Sequence, residues 1–198
     1  GIKRVVVSTY QAVSGAGYRG MEELRKQTED YAAGRELEAL YLPTASAKRH
    51  YPIAFNAIPQ IDVFAEEGYT REEWKMVRET QKIFGDPEFK VSPTTIRVPI
   101  MRSHSESINV ETVEPLTVEE CREVLNDFPG VQVIDDVENQ EYPMPLFTSG
   151  KDPIYVGRIR RDFTVENGFN LWVVGDQIRK GAALNAVQIA EHYTRKMG

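Results

Sequence analysis

TTIRVPIMRSHSESINVETV, residues 94–113, holds two apolar runs separated by a polar break. Thr94 to Met101 is rich in β-branched residues and predicts one strand; Ser107 to Val113 predicts a second. In the second run Ile108, Val110 and Thr112 fall on one face and Asn109, Glu111 and Val113 on the other, the alternation of a strand. Downstream, Thr117 to Asn126 places Val118, Cys121 and Leu125 at helical spacing. Val131 to Ile134 predicts a short strand, and residues 135–150, with Pro143 and Pro145, a loop. Tyr155 to Phe163 and Phe169 to Val174 predict two antiparallel strands joined at Glu166-Asn167-Gly168. Gly181 to Lys196 predicts a last helix with Ala183, Ala186, Val187 and Ala190 on one side. Strands in runs with interspersed helices mean α+β: helices covering one face of a mixed, mostly antiparallel sheet.

Upstream of this stretch, Thr70 and Glu73 form a capping-box pattern that starts a helix. The helix carries Trp74, Val77 and Phe84 on its apolar side and ends at Gly85-Asp86-Pro87. Residues 33–60 contain Gly34, Pro43, Pro52 and Pro59 without a sustained period and read mostly as loop. Met21 to Tyr31 is a polar helix. Ala12 to Gly17 is a small-residue loop, and Val5 to Tyr10 a buried strand. There is no internal repeat.

Composition narrows the function. Of 198 residues, 41% are hydrophobic and 27% charged, as in an ordinary globular domain. The 30 acidic and 24 basic residues give a net charge of −6, with no basic block. That disfavours nucleic acid, which needs clustered cations. No apolar run approaches the roughly 20 residues needed to cross a bilayer, so no membrane partner is expected. The single cysteine rules out a disulfide framework within the chain and points to a reducing, cytoplasmic compartment. His50, His104 and His192 are too far apart for a familiar metal motif, so no metal is expected. The chain begins at Gly1 without an initiator methionine. Either it is processed or it is a piece of something longer.

Gly15-Ala16-Gly17-Tyr18-Arg19-Gly20 matches G-x-G-x-x-G, with Asp30 downstream. A pyrophosphate turn is one reading. A dinucleotide-binding unit, however, needs a second parallel strand after the helix, and here the helix leads to Gly34 and an irregular stretch. A tight loop that comes close to something else fits better. Arg97 and His104 lie on and just past a predicted strand. A guanidinium can clamp a carboxylate and an imidazole can move protons; a strand-edge arginine and a hydrogen-bonded histidine remain the plainer alternative. Glu72 and Lys75, at i and i+3, share a helix face, as an ordinary surface pair does. Cys121 sits on an apolar stripe and reads as core, not nucleophile. Asn185 falls in the first turn of the last helix, where polar groups are favoured.

Six stretches together resemble the aspartate-semialdehyde dehydrogenases of bacteria: VVVSTYQAVSGAG (5–17), FNAIPQID (55–62), EEWKMVRET (72–80), TIRVPIMRSHSES (95–107), VGRIRRD (156–162) and GAALNAVQIAE (181–191). They occur in the family's order and span nearly the whole chain, as the family's C-terminal catalytic and dimerisation domain. The resemblance implies a glyceraldehyde-3-phosphate-dehydrogenase-like C-terminal fold over residues 1–198. The family's Rossmann fingerprint and its Asn-Cys-Ser/Thr nucleophile motif are not in this sequence.

The resemblance also implies roles. His104 would be the general acid and base, and Gln11 would help position the substrate by the nucleophilic cysteine. Arg97 would clamp the substrate α-carboxylate, Glu72 would contact its amino group and Lys75 would bind phosphate. Ser14, Gly15 and Gly17 would lie near the nicotinamide of NADP, and Asn185 beside it. NADP itself would be held mainly by an N-terminal domain, towards which residues 181–198 would pack. The implied reaction is NADPH-dependent reductive dephosphorylation of L-4-aspartyl phosphate to L-aspartate 4-semialdehyde, serving lysine, threonine and methionine biosynthesis. The implied assembly is a homodimer through the sheet. The alternative is a truncated, non-catalytic relative that serves as a dimerisation module. Retention of Gln11, Glu72, Lys75, Arg97 and His104 speaks against it, because such a module has no physical reason to keep all five.

Overall fold

The structure is a computed structural model that describes residues 1–197. A six-stranded sheet runs in the order β2-β1-β3-β6-β5-β4. Its strands are β1 (Ile2–Gln11), β2 (Val91–Arg97), β3 (His104–Thr112), β4 (Val131–Val133), β5 (Ile154–Arg161) and β6 (Gly168–Gly175). The two outer pairs, β1–β2 and β4–β5, are parallel and the three inner pairings antiparallel. The expected mixed, mostly antiparallel sheet is therefore present.

Helices α1 (Gly17–Ala32), α2 (Arg71–Phe84), α3 (Val118–Asp127), α4 (Pro145–Thr148) and α5 (Leu184–Met197) complete the chain. Both capping boxes in the sequence are formed. Thr70 caps α2 with Glu73, and Thr117 caps α3 with Glu120. Gly85 closes α2 in the left-handed conformation. Cys121 on α3 packs with Val156, Ile159 and Phe169 of the sheet, and burial pushes its thiol pKa up. That is core chemistry, as its place on the stripe predicts.

A second core lies outside the sheet. Val13, Leu24, Leu42, Ile53, Ala54 and Ile58 join α1 to the irregular stretch before residue 60. Burial of Val13, Leu42 and Ile53 stabilises this unit by about 1.5–3 kcal/mol each. Gln27 replaces the backbone pairing this stretch lacks. Its Oε1 accepts from Ile53 N (2.8 Å) and Ala54 N (3.0 Å), and its Nε2 donates to Glu38 O (2.7 Å). A loop in sequence is thus held fast in structure.

Several boundaries differ from the sequence reading. The first strand of the opening stretch ends at Arg97, not Met101, because Pro99 has no N–H to continue a ladder. The carbonyls of Ile100 and Met101 instead accept from Val13 N and Ser14 N. His104 opens β3 rather than standing outside a strand. Ala12 to Gly17 is not an open loop: Val13–Ala16 is a 3-10 turn, and α1 starts at Gly17. Residues 135–150 include the short helix α4. The last helix begins with a wide π turn, Arg179–Ala183, before α5. Phe84 does not face the sheet but stacks on Phe89, with centroids 4.6 Å apart. The alanine side of the last helix is exposed.

Helices α2 and α3 cover one face of the sheet, carrying Thr9 and Gln11 of β1, Thr95 and Arg97 of β2, and Phe169 and Leu171 of β6. Across the other face, where Tyr10 and Trp172 pack together, there is only loop 135–150 with the four-residue α4 against β6 among the described residues. The sheet edges are guarded. Glu73 Oε1 accepts from Thr95 N (2.9 Å), Ile58 bridges Arg97 on β2, and β4 is only three residues long. No helix of the described chain is long and apolar enough to cross a membrane.

Candidate active site

The ends of β1 and β2 and the start of β3 meet at one end of the sheet. Pairing places Gln11 of β1 beside Arg97 of β2. Ala12 follows Gln11 directly. Its carbonyl accepts from Arg97 Nη1 (2.6 Å), and its N–H donates to His104 Nδ1 (3.1 Å). One main-chain residue therefore holds both side chains. Glu72 reaches the same place from the first turn of α2, because the neighbouring Glu73 ties that turn to β2. Gln11 Nε2 donates weakly to Glu72 Oε1 (3.5 Å) and to Thr9 Oγ1 (3.3 Å). Lys75 lies 3.4 Å from Glu72 Oε2.

Burial and charge set the protonation states. Arg97 is 3% exposed. Burial lowers its pKa to about 10, with Glu72 acting in the opposite direction, so it stays cationic at neutral pH. Its buried Nε has no acceptor. A cation with an unmet donor suits a carboxylate. His104 is pushed down to about 3 by burial first, then by Arg97 and Lys75, with Asp176 opposing. The imidazole is neutral. Since Nδ1 accepts from Ala12, the proton resides on Nε2. The ring is set to donate.

This proton state is measurable. Nitrogen NMR of the chain is expected to show His104 neutral, protonated on Nε2, from pH 7 down to about pH 4. The sign for stability follows. With a native pKa of about 3 and an ordinary value of 6.5, the unfolded state binds the extra proton between them. Stability is therefore lost as pH falls from 6.5 towards 3. Titration of His104 near its ordinary value would contradict the enclosed, Ala12-bound ring.

The glycines of the G-x-G-x-x-G match have separate reasons, none of them a pyrophosphate. A Cβ on Gly15 would stand 2.9 Å from Arg97 Nη1 and 3.3 Å from His104 Cε1. Gly17 has φ +79°, and Gly20 packs where a Cβ would meet Val13 O at 2.9 Å. Gly15 is thus the close approach, and it is made to the site's own side chains. Ser14 is also at hand: its Oγ accepts from Gln177 Nε2 (2.6 Å). Gly17 has open space around it. Asn185 is half-buried on α5 and its side chain makes no hydrogen bond among the described residues, so nothing joins it to Arg97 and His104.

Residues that the sequence reading missed complete the site. A cavity of about 280 Å³ beside His104 is lined by Glu106, Gln177, Lys180 and Gly181. Gln177 Oε1 is buried without a donor. Burial raises the Glu106 pKa. Asp176 is fully buried. It accepts from Gly150 N (2.7 Å) and Ile178 N (3.1 Å) and lies 2.6 Å from Arg102 Nε. Ser103, at φ +72°, turns the chain into His104 and is held by Thr148 and Ser149 hydroxyls at 3.2 Å. An aspartate just before a helix is a start signal, so Asp176 was legible; the hydroxyl cluster carries no such pattern. No cluster of metal-ligating side chains occurs among the described residues.

A mixed-sheet α+β domain that holds a buried arginine and a neutral histidine together at one sheet end defines the class: a domain with a candidate acid–base and anion-binding site. Residues 1–180 match the family model "Semialdehyde dehydrogenase, dimerisation domain". The aspartate-semialdehyde dehydrogenase of Aquifex aeolicus is 56% identical over 191 residues, 96% of this chain and 54% of that protein. That of Bacillus subtilis is 50% identical, covering 96% and 56%. The solved aspartate semialdehyde dehydrogenase II of Vibrio cholerae, complexed with ASA, superposes with a TM-score of 0.90 at 45% identity, over 98% of this chain and 55% of that one. The chain belongs to the semialdehyde dehydrogenase family. It spans about half the length of the curated relatives it matches.

Proposed function

We propose that these residues are the substrate-binding and dimerisation part of an NADP-dependent aspartate-semialdehyde dehydrogenase. The nucleophilic cysteine and most of the nucleotide site lie outside the 198 residues. The substrates are L-4-aspartyl phosphate in one direction, L-aspartate 4-semialdehyde and phosphate in the other. The carrying observation is the shared anchoring of Arg97 and His104 on Ala12, beside Glu72 and Lys75.

Arg97 takes the α-carboxylate, with its free Nε as donor. Glu72 takes the α-amino group, and Gln11 orients the acyl end towards the nucleophile. Lys75 receives the phosphate. His104 gives its Nε2 proton to oxygen as charge develops there, the task of a general acid. Acting as a base, it needs Nε2 free, and so a proton must first depart. In the cavity beside His104, the orphan Gln177 Oε1 would accept from the carboxamide of the nicotinamide. NADP would supply the hydride exchange, and Ser14, bonded to Gln177, and Gly15, against His104, would stand near its nicotinamide. Val187, Ile189 and Tyr193, each more than half exposed on α5, pack on the nucleotide-binding part. Two copies associate through the Tyr10–Trp172 face of the sheet.

The chain by itself is expected to show no NADP-dependent turnover of aspartate semialdehyde with phosphate. Joined in cis to the preceding half of the Aquifex relative, it is expected to turn over, read by NADPH absorbance. Turnover by the chain alone, or none from a folded fusion, would count against this reading.

A further inference from the structure

Strand β5 breaks its own ladder. Its register against β6 shifts between Gly157 and Arg160, and Arg158 sits at φ +53°. A non-glycine residue is strained in that left-handed region, and bulges of this kind re-aim side chains. The shift leaves Ile159 buried against α3 and turns Arg158 and Arg160 into one groove on the Tyr10–Trp172 face. That groove, of about 270 Å³, runs between the sheet and loop 135–150, with Trp172 and Tyr142 on its walls. The loop is pinned there: Trp172 Nε1 donates to Pro143 O (3.0 Å). A Cβ on Gly157 would meet Pro143 Cδ at 2.6 Å, so loop and strand are in direct contact.

Both arginines are exposed, and neither forms an ion pair among the described residues. Arg160 Nη1 donates only to the carbonyl of Arg158 (2.7 Å). Asp162, the nearest acid in sequence, already accepts from Asn109 and Thr164. The loop that borders the groove carries anions without ion pairs, and Glu141 directly precedes Tyr142 of the groove wall. Glu138 and Glu141, on the pinned loop, are exposed and make no side-chain hydrogen bond among the described residues. The groove and the loop that borders it thus hold two cations and two anions that do not pair with each other within a copy. A two-fold contact sets each patch against the other, because residue i then meets j and j meets i.

We propose that Arg158 and Arg160 receive Glu138 and Glu141 of a second copy of this chain, and that this exchange fixes the register of the dimer. The inference rests on the homodimer reading given above and names its specificity-determining contacts. Burial of charge in such a pair steers and selects more than it binds.

Sedimentation equilibrium on the chain tests it. Arg158→Glu/Arg160→Glu and Glu138→Lys/Glu141→Lys are each expected to raise the dimer Kd at least about tenfold, about 1.4 kcal/mol. An equimolar mixture of the two is expected to regain the dimer, since every contact in the mixed pair is again opposite in sign. Thermal unfolding checks that each variant folds. If the reversal does not fold, Arg158→Gln/Arg160→Gln replaces it, with a smaller expected rise that added salt abolishes. A dimer that ignores all these changes overturns the proposal and leaves the homodimer standing. Weakened variants that fail to recover on mixing also overturn it, since the arginines then meet other groups. A chain that stays monomeric throughout overturns both.

Discussion

His104→Asn in the cis-restored enzyme is expected to lower kcat by about a hundredfold to ten-thousandfold, with KM little changed. Asparagine is chosen for what it keeps. Its side-chain oxygen can still accept from Ala12 N–H, so the local tie that Nδ1 makes need not be lost. What disappears is a group that can give up and regain a proton at the Nε2 position. A loss confined to kcat marks an interaction made only in the transition state. A fall smaller than about tenfold would remove His104 from the proton-transfer role.

Arg97→Lys is expected to act mainly on substrate binding, lowering kcat/KM roughly thirtyfold to several-thousandfold, as truncating one partner of a buried charged pair costs about 2–5 kcal/mol. Lysine keeps the charge but not the planar fork. In the native site one arm, Nη1, is committed to Ala12 O, while the buried Nε is free for an acceptor. An ammonium cannot serve the carbonyl and a carboxylate with the same fixed geometry. Kinetics with aspartate semialdehyde decide the matter: unchanged kcat/KM would mean that the substrate carboxylate binds elsewhere, and Arg97 is then a structural strut for the β1 turn.

What was legible in the sequence was local. The alternation in Ser107 to Val113, the two capping boxes and the hairpin turn at Glu166-Asn167-Gly168 depend on near neighbours, and each is present. The strand end at Arg97 was legible too, through Pro99, but the apolar run beyond it masked the stop. The meeting of Arg97 with Ala12 was not legible, since the two are 85 residues apart and are joined by parallel pairing of β1 and β2. No period in a sequence records which strands pair or in what register. The family resemblance supplied that information for Gln11, Glu72, Arg97 and His104, and the structure brings those four together. It did not do so for Asn185, whose helix makes its main contact with the turn before it. The Gly15-to-Gly20 match shows the converse hazard: a motif correct in letters, whose glycines answer to packing and a turn.

The contact between Ala12 and His104 has a genetic consequence. Its donor is a main-chain hydrogen, so no exchange of side chain at position 12 can delete it. Of the coded amino acids, proline alone lacks that hydrogen. Ala12 already rests at φ −64°, the angle a proline ring imposes, and it follows a strand residue, as proline prefers. Every missense change at position 12 but one therefore keeps the donor that sets the imidazole's tautomer, although Ala12 is fully buried and a larger side chain there must displace its surroundings.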